Sequence, residues 1–319
     1  MEETGLEWTL PGWRLQAEQW IRERLAEVGR SVAAIEQPHA RPWGTALRVQ
    51  TTNGTLWFKA CVAPLAYELP LLEHLGAARP DCVPHLVATD AARAWMLLDD
   101  AGVRLVDLYP DGAPAAIWQE FLRVYAQLQI DVAPAAEELV AAGVPDARSP
   151  RLIEEFLGML ENRRLVQPPV AGALDDHELA RLRAQVPRLV EASETLAALG
   201  LPDSIQHDDL HQWNVCVRDG RYRFIDWGDA CVAQPLLSLT VPLEHGAPAE
   251  ARDALLEPWT AFRPLRELAA ATGDAVLLGQ VTGVLKEARW VSVLSDAVRA
   301  DYEDEIPIRL RRLLELTCA

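Results

Sequence analysis

One stretch of this chain limits what the rest can fold into. From about residue 105 the apolar residues recur with helical spacing, over 118–129, 149–161, 176–199, 248–272, 274–300 and 307–317. Residues 204–230 break that rhythm. They read Ser204-Ile205-Gln206-His207-Asp208-Asp209-Leu210-His211-Gln212-Trp213-Asn214, then strand-like residues around Asp219-Gly220, then Ile225-Asp226-Trp227-Gly228-Asp229. An Asp-Gly pair between alternating residues signals a two-residue hairpin turn. With Asp219 and Gly220 at its centre, Asn214 faces Ile225 and Trp213 faces Asp226. Asn214 and Asp226 are therefore expected as neighbours at the open end of one hairpin.

An amide oxygen and a carboxylate held side by side are hard ligands. They suit Mg²⁺, which takes one or two protein oxygens and keeps its other positions for water and phosphate. Asp209, five residues before Asn214, enters the same end, where it could accept a proton from a hydroxyl attacking a bound phosphate. The plainer reading is a loop whose Asp and Asn side chains only make turn hydrogen bonds. Three such residues behind His207 argue against it.

The first hundred residues differ in character. An amphipathic helix over 12–28 precedes an alternating segment, 45–60, broken at Asn53-Gly54 as in a hairpin. A short helix over 65–75 and a strand over 95–98, ending at Asp99-Asp100-Ala101-Gly102, follow. The chain reads as α+β, with a strand-rich unit over 1–100 and a helical one over 101–319, a length that suits about two domains.

Composition narrows the function. At 50% hydrophobic and 24% charged the chain is expected to bury a core rather than stay disordered. A net charge of −17 argues against nucleic acid or an anionic membrane as the main partner. A cationic small substrate fits that charge, as does a generally acidic soluble protein. The five cysteines have neither CxxC nor Cys/His zinc spacing, which suits reduced thiols in a cytosol. The longest uncharged run, 230–243, falls short of a membrane span, and no export signal is visible, so a soluble cytoplasmic protein is expected. Of the 30 basic residues only Lys59 and Lys286 are lysine. Each invites the question of what an ammonium does there that a guanidinium could not.

The segment from His207 to Asn214 resembles the H-G-D-L-H-x-x-N loop of the aminoglycoside phosphotransferase and choline kinase-like family, and Ile225-Asp226-Trp227-Gly228-Asp229-Ala230 resembles its I-D-W-x-x-A stretch. The resemblance implies a two-lobed protein-kinase-like fold, with a small antiparallel-sheet lobe and a larger, mainly helical one. It also implies a cytoplasmic enzyme that moves the γ-phosphoryl group of ATP, with Mg²⁺, to a hydroxyl of a small molecule; GTP is the alternative donor. By the same resemblance Asp209 is the catalytic base, Asn214 and Asp226 hold the metal, and His207 braces the loop. Asp208 departs from the pattern, which has glycine there.

Such a kinase needs a strand lysine on the donor phosphates and a helix glutamate to hold it. Lys59, at the end of the first hairpin, and Glu68, nine residues on, match. Glu73 competes as the partner, and Pro70 raises the question of a late helix start. The loop Arg41-Pro42-Trp43-Gly44-Thr45-Ala46 has one glycine and no P-loop pattern. Leu97 and Asp99 are expected at the hinge that reads adenine. The acceptor site, formed in the family by C-terminal helices, points to Asp229, Glu287, Trp290 and Asp296, the last three expected on one face of one helix. Acceptors in view are amino sugars, aminoglycosides, sugars and amino alcohols.

Three rivals remain at this level. One is a catalytically silent nucleotide-binding module. Another is a metal-dependent hydrolase using His207, Asp209 and His211. The third, a protein kinase, lacks its H-R-D, D-F-G and A-P-E forms.

Overall fold

The protein is described from a computed structural model covering residues 7–170, 172–302 and 304–317. Strands β1 (Val32–Arg41), β2 (Gly44–Thr51), β3 (Gly54–Cys61), β4 (Leu86–Asp90) and β5 (Trp95–Asp99) form one antiparallel sheet in the order β1-β2-β3-β5-β4. Thr51 pairs with Gly54, so Thr52 and Asn53 are the loop residues of the first hairpin, one position earlier than the Asn-Gly signal suggests. Alternation along β3 sorts its side chains. Leu56, Phe58 and Ala60 are buried beneath helix α1 (Pro11–Glu27), while Trp57, Lys59 and Cys61 face a cleft on the other side. Trp13 and Trp20 of α1 meet Phe58 and Trp95 edge to face, with ring centroids 5.4–6.2 Å apart among the four.

Strands β1 and β4 were not legible in the sequence. β1 carries Pro38 and a register shift between Glu36 and His39, so its alternation is broken, and a sheet edge is where proline is tolerated. Helix α2 (Glu68–Ala78) starts at Glu68 despite Pro70, which falls in its first turn, where no helical N–H is needed.

The remainder is mainly helical around the long, largely buried helix Thr272–Val291. The expected helix over 176–199 divides at Gln185 into Asp176–Ala184 and Val186–Ala198. The one over 248–272 divides into Ala249–Leu256 and Leu265–Ala270, with Pro258 and Pro264 between them. The one over 274–300 ends at Val291, and Asp296 opens a separate turn of helix, Asp296–Arg299, so it does not continue the face carrying Glu287 and Trp290. The Asp296 side chain lies outside the described part, as does Cys318. Cys61, Cys82, Cys216 and Cys231 are free and buried. Among the described residues no helix is long and apolar enough to cross a membrane.

Two small sheets hold the polar island. β6 (Val103–Arg104), β8 (Val215–Arg218) and β9 (Arg221–Phe224) pair in the order β6-β8-β9. β7 (Ser204–Gln206) pairs with β10 (Cys231–Ala233), joining the two ends of the island at its base. Val215 faces Phe224, and the Ile225 N–H donates to the Asn214 carbonyl at 3.0 Å, which is the register expected from Asp219-Gly220. Both turn residues have positive φ, 52° and 72°, as a tight hairpin turn of this kind requires.

Candidate active site

A cleft of about 840 Å³ separates the five-stranded sheet from the helical part. Lys59 reaches into it from β3. Its ammonium lies 2.6 Å from Glu68 Oε1 and 2.5 Å from Asp226 Oδ1. Burial alone would lower the lysine's pKa, but Asp226 and Glu68 outweigh it and hold the pKa above the ordinary value. Lys59 in turn holds Asp226 below the usual carboxylate range. Glu68 is buried, which pushes its pKa up, and its Oε1 also accepts the Trp227 N–H at 3.0 Å. The alternative partner, Glu73, is solvent-exposed.

Across the cleft, Asp209 is the residue of the His207–Asn214 loop that lines it, and Asn214 lies buried behind. His207 is fully buried against Trp227, its Nε2 2.9 Å from the Ile225 carbonyl and its main-chain N–H on the Tyr125 hydroxyl. Burial lowers its pKa. A neutral imidazole donating from Nε2 therefore fits a brace between loop and hairpin. It is not placed as a metal ligand. Among the described residues no group of three or more His, Cys, Asp or Glu side chains could hold a metal ion. The Asn214 side-chain N–H₂ donates to Asp209 Oδ2 at 2.8 Å and to the Asp209 carbonyl at 3.0 Å. That fixes the amide so that its oxygen is left as the free polar end. Asp226 sits in the left-handed region, φ 64°, and only its Oδ1 is taken by Lys59. One amide oxygen and one carboxylate oxygen are the donor set Mg²⁺ accepts beside phosphate and water.

Asp209 accepts from Asn214 on Oδ2, with His211 Nε2 3.3 Å from the same atom. Its Oδ1 lies 3.3 Å from the ammonium of Lys286. Burial opposes its ionisation, but Lys286 and His211 overcome that and hold its pKa far below the usual range. Asp208, where the pattern has glycine, adopts φ 56°, the left-handed region that glycine enters most freely. Its Oδ1 accepts the Thr282 hydroxyl at 3.0 Å.

At the hinge, Leu98, Asp99, Asp100, Ala101 and Gly102 line the cleft. Leu97 does not. It lies between β3 and β4, in register with Phe58 and Ala88, and its side chain is buried in the core under α1. The Asp99 carboxylate is committed elsewhere: Oδ1 accepts the His85 N–H at 2.7 Å, and Oδ2 lies 3.4 Å from Arg218 and 3.3 Å from Arg223. Gly102, φ 106°, passes so close to β8 that a Cβ there would sit 2.2 Å from the Val217 carbonyl oxygen.

The far end of the cleft brings Asp229, Glu287 and Trp290 together. Asp229 Oδ2 is 3.3 Å from Lys286, and Glu287 Oε1 is 3.0 Å from Arg309. Trp43, in the single-glycine loop, packs on Trp290 with ring centroids 4.5 Å apart, and both contact Tyr302. Sequence reasoning missed Tyr67, whose hydroxyl bonds the Gly228 carbonyl and receives Arg289 at 2.9 Å. It also left Lys286 without a role, although the rarity of lysine marked it.

A two-lobed fold with these groups across its cleft defines a kinase-like phosphotransferase. The model of the phosphotransferase enzyme family matches residues 45–270, and the chain belongs to that family. It is an enzyme that transfers phosphoryl groups to the hydroxyls of small molecules. No curated protein matches it. The chain is similar in fold to an aminoglycoside phosphotransferase, APH(2″)-IIIa, solved with GDP and kanamycin: TM-score 0.64, 18% identity, over 95% of this chain and 99% of that one. Aminoglycoside phosphotransferase APH(4)-Ia, solved with AMP-PNP and hygromycin B, is similar at TM-score 0.59 and 15% identity, over 93% and 98%. Choline kinase LicA from Streptococcus pneumoniae is similar at TM-score 0.58 and 14% identity, over 95% and 99%.

Proposed function

We propose that the enzyme transfers the γ-phosphoryl group of ATP to a small-molecule hydroxyl with Mg²⁺ bound, GTP being the alternative donor. The observation that carries this reading is the position of Lys59, which bonds Glu68 of α2 and Asp226 of the island across one cleft. Lys59 holds the donor phosphates, Glu68 holds Lys59, and the hinge backbone around Ala101 takes the base. Asn214, through its amide oxygen, and Asp226 would hold Mg²⁺, which when bound spreads and neutralises the phosphate charge. His207 braces the loop.

Asp209 orients the acceptor hydroxyl. The new O–P bond forms as the bond from Pγ to the β,γ-bridging oxygen breaks, the nucleoside diphosphate leaves, and the hydroxyl proton passes to Asp209. A carboxylate held this acidic takes that proton late, which suits a loose transition state with little early deprotonation. The acceptor lies over Asp229, Glu287 and Trp290. The relatives solved with kanamycin and hygromycin B, and the choline kinase, support amino sugars, aminoglycosides and amino alcohols as the first acceptors to try, with simple hexoses beside them. A cytoplasmic place fits the free cysteines.

The test is loss of the ATP γ-phosphate, with Mg²⁺, against pools of those acceptors, with Asp209→Asn as the control. A phosphorylated product made by the wild type and not by the variant supports the reading. ATP binding with no transfer to any pool supports a silent nucleotide-binding module instead.

A further inference from the structure

Lys286 is the second of the chain's two lysines, and its side chain is only 5% exposed. It projects from the helix Thr272–Val291, which no motif marks, and its ammonium meets three oxygens. The Asp208 carbonyl accepts at 2.7 Å, and Asp209 Oδ1 and Asp229 Oδ2 lie at 3.3 Å each. An ammonium has three N–H donors in tetrahedral array, one for each oxygen. A planar guanidinium on a longer stem would not converge on all three.

The loop is shaped to meet it. The left-handed turn at Asp208 swings that carbonyl toward the helix, and the Asp208 side chain takes the hydroxyl of Thr282, one turn before Lys286. Asp209 is thereby gripped at both oxygens, Oδ2 by Asn214 and His211 and Oδ1 by Lys286. The same ammonium ties this loop to Asp229, beyond the Asp226 turn.

We propose that Lys286 is a positioning residue for phosphoryl transfer, holding the Asp209 carboxylate in the rotamer that receives the acceptor hydroxyl. The role rests on the phosphotransferase reading of the site. It is exerted through Asp209, and Lys286 is not assigned to the donor phosphates, which Lys59 and Asp226 serve.

The test compares wild type with Lys286→Met, Lys286→Gln and Lys286→Ala, each checked by thermal unfolding, in the pooled transfer assay and in ATP hydrolysis with water as acceptor. The expected result is a 30- to 100-fold fall in kcat with KM for ATP within about threefold. Gln, one bond shorter, has two N–H donors in place of three and no charge, so it cannot serve all three oxygens and is expected to fall with Met. Added n-propylammonium, the portion deleted in Lys286→Ala, is expected to restore that variant saturably, whereas neutral n-propanol is not. A merely structural lysine would give matched losses of Tm and active fraction, and rescue by either additive or by none. Wild-type kcat in the Met and Gln variants, or equal rescue by propanol, overturns the proposal and leaves the phosphotransferase reading standing. Absence of transfer by the wild type to any acceptor or to water overturns both.

Discussion

Lys59 and Asp226, 167 residues apart in the chain, meet at 2.5 Å across the cleft. The same ammonium holds Glu68, so one side chain joins the sheet, α2 and the polar island. Removing it leaves the buried Glu68 carboxylate without its cation. Lys59→Met is expected to lower phosphoryl transfer by at least about 100-fold, and to cost about 3–5 kcal/mol in urea unfolding. Adding Glu68→Leu is expected to return most of the stability and none of the activity. Recovery of activity in the double variant would refute the role of the pair.

Asp226 sits in a left-handed turn that asparagine tolerates well. Asp226→Asn is therefore expected to keep its fold and to lose charge at the metal position. The Mg²⁺ concentration for half-maximal transfer is expected to rise about tenfold or more, with Tm within a few degrees of wild type. An unchanged Mg²⁺ dependence would remove Asp226 from the metal.

Burial holds the Asp208 carboxyl up at about 7. In the unfolded chain it titrates near ~4. Between these values the folded protein keeps a proton that the unfolded chain has released. The stabilisation from this group is thus complete below ~4 and is lost as pH rises through about 7. Asp208→Asn, which cannot ionise, is expected to match wild type in Tm at pH 4 and to exceed it by several degrees at pH 8. A constant difference across that range would show that Asp208 is not the titrating group.

Gly102 is where the hinge backbone crosses β8, with φ 106° and the Val217 carbonyl 2.2 Å from where a Cβ would lie. Gly102→Ala is expected to destabilise by about 1–3 kcal/mol and to raise KM for the nucleotide, because the hinge must shift away from β8. Measuring both together separates a moved hinge from simple loss of stability. A stable variant with unchanged KM would show that the hinge does not shape the nucleotide site.

Local chemistry made much of this protein readable from its residues. Asp219-Gly220 set a hairpin register through a two-residue turn with both φ angles positive, and that register put Asn214 opposite Ile225, the residue before Asp226. Scarcity of lysine pointed to Lys59. The rest depended on contacts between distant segments. β1 escaped because proline and a register shift spoil its period, and its pairing with β2 is what makes it a strand. Leu97 and Leu98 look equivalent in sequence, yet alternation on a sheet covered on one face by α1 turns the first into the core and the second toward the cleft. Glu68 and Glu73 were both open as partners of Lys59 until the start of α2 placed one in the cleft and the other in solvent. Lys286, on a helix with no motif, joined the site only because that helix packs beneath the Asp208 turn. Spacing along the chain specifies turns, periods and neighbours a few residues apart, whereas the facing of one helix against a loop is fixed by the packing of the whole core.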